Sequence, residues 1–487
     1  MRCADERRDV KVRQRGATSD RRTALRRARD FIDYIAEATP ARFAILIFTS
    51  LILVTTLLLS LPISSRDRQV TPLADALFTA VSTICVTGLT TVDMATHWST
   101  FGNVVILVGM QVGGIGVLTL ASIMGLVVSR RLGLRQRLIA ASDTNPSRIH
   151  VGPVSESQAI RLGEIGGLLV TVAVSLLVIE AALSALIIPR LLVAGFDPWT
   201  AVWQGFYFAT SAFTNTGFVP SEAGLDPFAS DPWMLSSISI GVFLGSLGFP
   251  VIFALARKAR RGGRLSVHVR LTLITTTILL ILGAIAITVL EWSNEATLGG
   301  QDGVVRPMTG TFLSVMSRSG GFSTVDIAEM NGATLLVLDM LMFVGGGSAS
   351  TAGGIKVTTL AILFLAAFAE ARGDRDMQVL DRRIPSDVLR LSVSIVLWGA
   401  TIVALASIAI LRLTDRPLDI VLFDVISAFA TCGLSTGLPE TLPDAGKYIL
   451  SATMWAGRVG TVTLAAALAA SQRGQLFTRA EERIIVG

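Results

Sequence analysis

The sequence has little charge: of its 487 residues only 16% are Asp, Glu, Lys or Arg, while 51% are hydrophobic. Soluble proteins carry roughly 25% charged residues. A disordered chain is excluded, because disorder needs high charge and low hydrophobicity. Several soluble domains are disfavoured, because too few polar residues are present to cover them. The composition is typical of a protein whose main solvent is lipid.

Cysteine and histidine are also scarce, with three of each in the chain. Cys3, Cys85 and Cys432 are too few for a disulfide framework, and their spacing matches no metal site. The histidines lie outside the strongly apolar runs, so a membrane-embedded serine hydrolase would lack its base. A metalloprotease would need His-Glu-x-x-His, which is absent. We therefore expect no enzyme and no cofactor, with a membrane hydrolase as the main competitor from another class.

What the chain does have is long apolar runs. A helix needs about 20 apolar residues to cross the ~30 Å hydrocarbon core. Eight such runs occupy residues 41–62, 102–128, 165–188, 234–256, 271–291, 334–369, 388–411 and 448–470. Within successive pairs lie shorter amphipathic stretches at residues 73–85, 199–213, 308–318 and 418–430, a length typical of re-entrant segments. The pattern predicts four units of long helix, short helix, loop and long helix.

Each short stretch ends in a tetrad that contains glycine and closes with a hydrophobic residue. The tetrads are Val86-Thr87-Gly88-Leu89, Asn215-Thr216-Gly217-Phe218, Ser319-Gly320-Gly321-Phe322 and Thr431-Cys432-Gly433-Leu434. A second glycine follows in the next long run, at positions 113, 245, 347 and 457. Repetition of both features indicates one architecture built from internal repeats.

Non-helical backbone at membrane depth is tolerated only where it is buried or lines water. Four such loops around one axis would supply rings of carbonyl oxygens, which replace the hydration shell of a cation in a selectivity filter. Glycine permits the backbone angles and the close approach that this needs. We therefore predict a cation-binding filter made of Val86, Thr87, Gly88, Asn215, Thr216, Gly217, Ser319, Gly320, Gly321, Thr431, Cys432 and Gly433. The alternative is a set of ordinary tight turns between helices.

The tetrads, followed by Ser323-Thr324-Val325-Asp326 and Ser435-Thr436-Gly437-Leu438 in the last two units, resemble those of the Trk/Ktr/HKT potassium transporters. The resemblance covers about residues 40–475, and eight runs with no extra amino-terminal pair resemble the KtrB-type membrane subunit most. It implies potassium as the transported ion, held by four loops that mimic a tetrameric channel filter. Gly88 implies potassium rather than sodium, since family members with serine here are typically sodium-selective. A sodium-conducting HKT-like pore and a TrkH-type subunit are the alternatives, and sodium coupling is left open.

The sixth apolar run is interrupted by a glycine-rich segment. It reads Gly345-Gly346-Gly347-Ser348-Ala349-Ser350-Thr351-Ala352-Gly353-Gly354, followed by Ile355-Lys356. Glycine costs a helix about 1 kcal/mol per position, so this segment should unwind. A P-loop is excluded because Lys356 does not directly follow a glycine and no strand precedes it. The resemblance implies an intramembrane gate loop at residues 345–356 below the filter, with a small-residue helix-packing patch as the alternative.

Arg458 lies in the eighth run beside Gly457 and Gly460. An arginine at the centre of a span costs about 2.5–3.5 kcal/mol on insertion scales, so it should face protein or water. The resemblance places an arginine here in the pore, just below the filter, where it would hold the gate loop closed. The alternative is a structural ion pair with Asp339 or Glu180.

Basic residues indicate the orientation, because cytoplasmic loops are rich in Lys and Arg. Of 42 such residues, 33 lie in the termini and in the loops opposite the short stretches. We predict an all-α integral membrane protein of the cell membrane with both termini cytoplasmic, and four pseudo-repeated units of helix, pore helix, filter loop and helix around a central pore. Its segments are an arm at 1–40, pore repeats at 41–130, 159–260, 269–370 and 386–472, and a tail at 473–487.

The net charge of +6 reflects this basic inner face, so we expect the lipid bilayer, and no nucleic acid, as the partner of the chain. No Gly-x-Gly-x-x-Gly follows a strand, so nucleotide control would come from a separate subunit. The resemblance implies a homodimer on a cytoplasmic ring of nucleotide-binding, KtrA-like regulatory subunits.

Overall fold

The structure is a computed structural model, and it describes residues 40–116, 162–222, 224–374, 377–379 and 382–460. The predictions for the amino-terminal arm, the distal part of the second apolar run and the carboxyl-terminal tail fall outside these residues. The described chain is predominantly helical, which confirms the all-α class in its coarse form. Its paired strands form one short hairpin in the described part, Gln378–Val379 (β1) with Arg382–Arg383 (β2).

The first unit contains helices α1 (Pro40–Leu59), α2 (Leu73–Cys85) and α3 (Thr100–Gly114). The short helix α2 has the predicted bounds and is buried along most of its length. Ser99 caps α3 by accepting a hydrogen bond from the Gly102 amide at 3.2 Å. Such a cap satisfies one of the amides that a helix start leaves unpaired.

The second unit contains α4 (Leu162–Val193), α5 (Pro198–Thr214), α6 (Pro232–Leu247) and α7 (Phe249–Arg261). The prediction of one continuous span at 234–256 is wrong, because α6 and α7 meet at an angle of 102°. Gly248 at the junction has φ +88°, which favours glycine. Pro250 follows it and has no amide to continue the helix of α6.

The third unit contains α8 (Val267–Leu290), α9 (Val305–Met316), α10 (Gly332–Phe343) and α11 (Val357–Arg372). The sixth apolar run is broken between α10 and α11, at the glycine-rich segment where unwinding was predicted. A single parallel bridge between Val344 and Ile355 closes the base of the break. His268 lies in the first turn of α8, so the prediction that no histidine occupies a spanning helix is wrong at this boundary.

The fourth unit contains α12 (Ser386–Leu411), α13 (Leu418–Ala430), α14 (Leu438–Thr441) and α15 (Asp444–Trp455). A π-helical turn, Ala456–Gly460, continues α15 to the end of the described residues. Arg458 therefore lies in irregular helix, a geometry that often occurs at functional positions.

The four short helices α2, α5, α9 and α13 lie in the interior, where each contributes a phenylalanine that is at most 2% exposed: Phe78, Phe208, Phe312 and Phe423. Long helices surround them and expose large apolar side chains, among them Val178, Ile285 and Leu405. Extended apolar surfaces of this kind indicate contact with lipid or protein.

By length and composition, Thr171–Val193, Val267–Leu290 and Ser386–Leu411 qualify as membrane spans among the described residues. The bent pair α6–α7 would add a fourth if it is counted as one span. The remaining predicted spans are broken, shorter than this criterion or partly outside the described residues, so the expected number of eight stays a prediction.

Candidate functional site

The four short helices end in one common backbone turn. The first residue of each tetrad has a positive φ although it is not glycine, which is uncommon: 59° at Val86, 62° at Asn215, 79° at Ser319 and 48° at Thr431. Two residues later, each tetrad glycine also has a positive φ: 93° at Gly88, 85° at Gly217, 73° at Gly321 and 95° at Gly433. Unrelated tight turns would have no reason to share this pattern.

The tetrads also contact one another in a closed ring. If the glycine at the third position of each tetrad carried a β-carbon, that atom would lie against the carbonyl oxygen of the second residue of the next tetrad. A β-carbon on Gly88 would lie 1.8 Å from the Thr216 oxygen, and one on Gly217 would lie 2.8 Å from the Gly320 oxygen. A β-carbon on Gly321 would lie 2.9 Å from the Cys432 oxygen, and one on Gly433 would lie 2.3 Å from the Thr87 oxygen. The ring follows chain order and returns to its start. Only glycine allows four equivalent carbonyls to approach this closely.

Serines on two short helices hold the glycine amides. Ser82 Oγ accepts from the Gly88 amide at 3.0 Å, and Ser427 Oγ accepts from the Gly433 amide at 3.1 Å. The sequence reasoning missed these serines, although a serine six residues before the tetrad glycine recurs in the first, second and fourth units. In the third unit this position is Val315, and the Gly321 amide donates to a helix carbonyl instead.

The second glycine series supports the tetrads in three of the units. A β-carbon on Gly113, Gly245 or Gly457 would lie 2.4, 2.1 or 1.8 Å from the carbonyl oxygen of Ile84, Phe213 or Phe429, respectively. Each of these carbonyls is two residues before the first residue of its own tetrad. In the third unit Gly347 faces the Leu247 carbonyl of α6 at 2.5 Å instead. The series is regular in sequence, but its third member has a different partner.

Polar side chains of the tetrads pair partly within the ring. Thr216 Oγ1 lies 2.8 Å from Thr214 Oγ1, and Ser319 Oγ donates to the Thr431 carbonyl at 2.7 Å. The hydroxyl oxygens of Thr87 and Thr431 are buried, and no hydrogen-bond partner for them is present in the described parts of the chain. Because buried polar atoms are normally paired, these hydroxyls are suited to contact a ligand in the ring.

The glycine-rich loop 345–356 lies directly against three of the tetrads. Thr351 Oγ1 donates to Asn215 Oδ1 at 3.2 Å, and the Gly353 amide donates to Ser319 Oγ at 3.2 Å. A β-carbon on Gly353 would stand 2.0 Å from Thr431 Oγ1. The first half of the loop contacts the junction between α6 and α7, where the Gly347 amide donates to the Ser246 carbonyl at 2.7 Å.

The other loop residues close local hydrogen bonds. Ser350 Oγ donates to the Gly347 carbonyl at 2.6 Å, and Ser348 Oγ lies 3.1 Å from Thr358 Oγ1. The backbone of the loop is held at its ends, because the Val357 amide donates to the Gly346 carbonyl at 3.1 Å. The remaining loop residues have small side chains or none, which allows the loop to pack closely: Gly345, Ala349, Ala352 and Gly354.

Three cationic side chains bind carbonyls of this loop. Arg458 donates to the Thr351 carbonyl and, at 3.0 Å, to the Gly113 carbonyl at the end of α3. Arg318 donates to the Gly345 carbonyl at 3.0 Å, and Lys356 to the Ala352 carbonyl at 2.7 Å. Arg318 was not singled out in the sequence, although it directly precedes the third tetrad.

Glu180, one of the two suggested ion-pair partners of Arg458, is engaged elsewhere. Its carboxylate accepts hydrogen bonds from Gln111 and, at 3.4 Å, from Thr210. One oxygen of the other suggested partner, Asp339, has no hydrogen-bond partner among the described residues. The hydrogen bonds of Arg458 to the Thr351 and Gly113 carbonyls involve neither of these carboxylates.

Two further carboxylates, also missed in the sequence, fix the surroundings of the ring. Asp424 accepts from Ser435 Oγ at 2.7 Å and from the Thr436 amide at 3.2 Å, and so holds the segment that follows the fourth tetrad. Asp75 on α2 pairs with Lys447 on α15 at 2.6 Å and joins the first unit to the fourth.

Outside the spanning helices, His97 lies in the loop before α3. Its burial lowers the pKa of the imidazole, while Asp75 and Asp67 act in the opposite direction. Its Nε2 atom is 3.1 Å from Thr71 Oγ1. A lowered pKa means that this side chain is neutral at physiological pH, so it adds no positive charge near the short helices.

A family model described as "TrkH: Cation transport protein" matches residues 25–477. The chain is 31% identical over 454 residues to "Ktr system potassium uptake protein B" of Vibrio alginolyticus, covering 93% of this chain and 96% of the relative. It is 30% identical over 443 residues to "Potassium/sodium uptake protein NtpJ" of Enterococcus hirae, with coverages of 88% and 93%.

Among solved structures, the potassium transporter TrkH from Vibrio parahaemolyticus superposes with a TM-score of 0.64 at 17% identity. The match covers 86% of this chain and 82% of that one, and it indicates a shared fold. The resemblance to Trk/Ktr/HKT transporters is thereby confirmed. So is the expectation that the chain is not an enzyme, because these relatives are transport proteins.

Proposed function

The chain belongs to the TrkH family of cation transport proteins, and on this basis we propose that it takes up potassium across the cell membrane. The names of its relatives support potassium as the substrate: the Vibrio alginolyticus and Enterococcus hirae proteins are described as uptake proteins for potassium and for potassium or sodium. Their similarity extends over most of both chains, so the proposal concerns the whole protein.

The closed ring of the four tetrads is the observation that carries the proposal. Residues 86–88, 215–217, 319–321 and 431–433 would form the selectivity filter, with potassium as the transported ion in it. The equivalent carbonyls of Thr87, Thr216, Gly320 and Cys432 meet around one axis. Carbonyl rings of this kind replace the hydration shell of a cation. The buried hydroxyls of Thr87 and Thr431, for which the described residues supply no hydrogen-bond partner, would add oxygen ligands.

The pore would be built from four repeats, at residues 41–130, 159–260, 269–370 and 386–472. The interior position of α2, α5, α9 and α13 supports their role as pore helices, because each delivers one tetrad to the ring. The distribution of Lys and Arg supports an orientation with both termini in the cytoplasm.

Loop 345–356 would be the gate, and Arg458 would hold it closed. The loop contacts three tetrads from one side, which is where it would obstruct an ion leaving the filter. Arg458 reaches across from the fourth unit to the Thr351 carbonyl. A cation at this position would also raise the electrostatic barrier to permeation.

The partners that we propose are a second copy of the chain and a cytoplasmic ring of nucleotide-binding, KtrA-like subunits. The Ktr-system names of the relatives support a multi-subunit assembly. Sodium is the second ion that we consider, because the Enterococcus hirae relative is described as a potassium/sodium uptake protein.

The filter is tested by uptake of rubidium and sodium into cells that lack their own potassium uptake. We expect the wild-type chain to prefer rubidium, and Gly88→Ser to lose that preference, because the new side chain would enter the ring beside Thr216. Gly437→Ser is the matched control. Gly437 also has a positive φ, of 81°, but a β-carbon there would meet no atom within 4 Å. Sodium uptake without rubidium uptake by the wild-type chain would support the sodium-conducting alternative instead.

The gate is tested by deleting residues 347–352. The bridge between Val344 and Ile355 brings the ends of the loop together, so a shortened loop can still connect α10 to α11. We expect rubidium flux through the purified, reconstituted chain to rise in the absence of any partner. Unchanged flux from a correctly folded deletion variant would refute the gate.

A further inference from the structure

Helix α7 has no part in the transport function proposed above, yet its position and charge are specific. It leaves α6 at 102°. If α6 crosses the bilayer, a bend close to a right angle lays α7 along the membrane surface. The chain then passes through residues 262–266 and enters α8, which crosses back. Val251 of α7 packs against Val269 in the first turn of α8, so α7 lies at the depth where α8 begins, on the side that we propose to be cytoplasmic.

The second half of α7 is strongly cationic. Arg257, Lys258, Arg260 and Arg261 are all exposed, and Arg264 follows in the next loop. No acidic residue occurs in the sequence between Asp231 and Glu291. None of these five cations forms an ion pair with another residue in the described ranges. Within the described residues, their charge is therefore not compensated by an acidic partner.

The first half of α7 is apolar and packed. Val251 is fully buried, and Ala254 and Leu255 pack with it against Val269 of α8. The helix therefore combines an apolar part, fixed to the protein, with a free cationic end. This combination is typical of helices that lie in the membrane interface, where Lys and Arg meet anionic lipids.

We propose that the cationic end of α7 binds anionic phospholipid headgroups of the cytoplasmic leaflet. Its depth decides between lipid and a docked acidic protein, because the bend holds the cations beside the bilayer instead of projecting them away from it. Each Lys or Arg near an anionic surface strengthens binding by about fivefold.

The amino-terminal end of α7 contacts the proposed gate, and this second step rests on the proposed function. The Phe249 amide donates to the Ala349 carbonyl at 3.3 Å. A β-carbon on Gly248 would lie 2.6 Å from the Ser348 carbonyl oxygen. A ligand that stabilises the observed position of α7 also stabilises the observed position of the loop. Anionic lipid is therefore expected to lower the flux.

Binding is tested with a fluorophore on α7 in the full chain. Ala259→Cys, an exposed site, is labelled in a Cys3→Ser background, since Cys85 and Cys432 are buried. The protein is reconstituted in equimolar phosphatidylcholine and phosphatidylglycerol, with one or the other lipid brominated as the quencher. We expect stronger quenching by brominated phosphatidylglycerol, and loss of this preference in the variant Arg257→Gln, Arg260→Gln, Arg261→Gln.

The matched control replaces three exposed arginines in and beside the connection between the third and fourth units, at the end of α11, in β2 and near the start of α12: Arg372→Gln, Arg382→Gln and Arg390→Gln. This control should keep the preference. Equal quenching by the two lipids in the wild-type chain would overturn the proposal. So would a label that neither lipid quenches and that an added nucleotide-binding ring shields, because α7 would then be a protein-docking surface.

Flux in the same vesicles tests the second step and separates the two proposals. We expect rubidium flux to be several-fold lower with phosphatidylglycerol than with phosphatidylcholine alone, and the α7 variant to lose this difference. No flux in any vesicle, with preferential quenching intact, would contradict the transport function and leave lipid binding established. If rubidium flux does not depend on lipid composition while preferential quenching persists, the coupling of lipid binding to the gate is overturned.

Discussion

The third unit differs from the other three in how its tetrad is supported. In the first, second and fourth units, a glycine near the end of α3, near the end of α6 or in the π-helical turn after α15 lies against a backbone carbonyl of the short helix. In the third unit the helix ends at Phe343, and the glycines of the same region form a loop. Backbone contact without side chains tolerates no displacement, whereas a loop can move.

In the third unit the glycine contacts lie within the loop or against other helices, and separate hydrogen bonds are added to them. Arg318, Thr351 and Arg458 each contribute one or two of them. A hydrogen bond with a charged group contributes about 1.5–3 kcal/mol and a neutral one about 1 kcal/mol. Such contacts can be broken one at a time, so we expect the third unit to move more easily than the other three. This asymmetry suits a pore in which one unit carries the gate.

The strongest test of the rigid units is Gly457→Ala. The added methyl would stand 1.8 Å from the Phe429 carbonyl, and backbone cannot give way as a side chain can. Overpacking of this kind costs about 1–3 kcal/mol or more, so we expect rubidium uptake to fall at least about tenfold. Uptake should be divided by the amount of folded protein, measured by size-exclusion chromatography in detergent.

Gly332→Ala, at the start of α10, is the control, since a β-carbon there would meet no atom of the described residues within 4 Å. It should leave uptake within about twofold of the wild type. If both alanines behave alike, the support of the tetrads does not depend on glycine contact, and the contrast between the units is wrong.

The next test releases the third unit. Arg458→Gln removes the charge that binds the Thr351 and Gly113 carbonyls, and Arg318→Gln removes the contact with Gly345. With about 1.5–3 kcal/mol for each charged contact, we expect flux through the purified chain to rise about tenfold or more for Arg458→Gln. Arg318→Gln should have a smaller effect in the same direction.

Arg190→Gln is the matched control, because Arg190 is a partly buried arginine that pairs with Asp231 away from the loop. It should lower thermal stability and leave the flux per molecule unchanged. A fall in flux for Arg458→Gln with the protein still folded would mean that the arginine supports permeation instead of closure.

Much of this organisation follows from the sequence alone. The four short helices were predicted within three residues at each end, because an amphipathic run that stops at a glycine tetrad is a strong local signal. The break at residues 345–356 was predicted for a similar reason, since closely spaced glycines cannot hold a helix.

The sequence did not reveal features that depend on contacts between residues separated along the chain. Arg318 and Asp424 have no local pattern that distinguishes them from other charged residues, and their partners are 27 and 11 or more residues away. The bend at Gly248 was missed because a single glycine inside an apolar run is compatible with a straight helix as well as with a bend. Gly248 lies against the Ser348 carbonyl, a hundred residues later in the chain, and this contact accompanies the bend.

A smaller effect is expected from replacing the serine six residues before the tetrad glycine, a position that is valine in the third unit. Ser82→Ala and Ser427→Ala each remove one hydrogen bond to a tetrad glycine, which contributes about 1 kcal/mol. We expect the preference for rubidium over sodium to fall about fivefold for each. Val315→Ala at the equivalent position should not change selectivity. A selectivity loss in Val315→Ala equal to that of the serine variants would show that packing, and not the hydroxyl, is responsible.

The third unit has a compensating attachment at the carboxyl end of α8, on the side that we propose to be the outer one. Glu291, directly after α8, is buried and accepts hydrogen bonds from the Asn331 amide at 2.9 Å, from Asn294 at 2.7 Å, from Thr297 at 2.6 Å and from the Thr334 hydroxyl. Burial raises the pKa of this carboxyl, but the hydrogen bonds from its neighbours together lower it further than burial raises it. Its net pKa is below the ordinary value for glutamate.

This lowered pKa makes the outer attachment sensitive to acid. A depressed carboxyl pKa stabilises the folded state fully above the unfolded pKa of about 4.3, and the contribution is lost as pH falls through the folded value. We expect Glu291→Gln to melt at a lower temperature than the wild type at neutral pH, and the two curves to converge below about pH 4. Glu295→Gln, an exposed neighbour, should follow the wild-type melting profile measured in detergent across the same pH range. Parallel profiles for the wild type and Glu291→Gln would mean that the third unit is held at its outer end by packing alone, and its attachment would then resemble that of the other three.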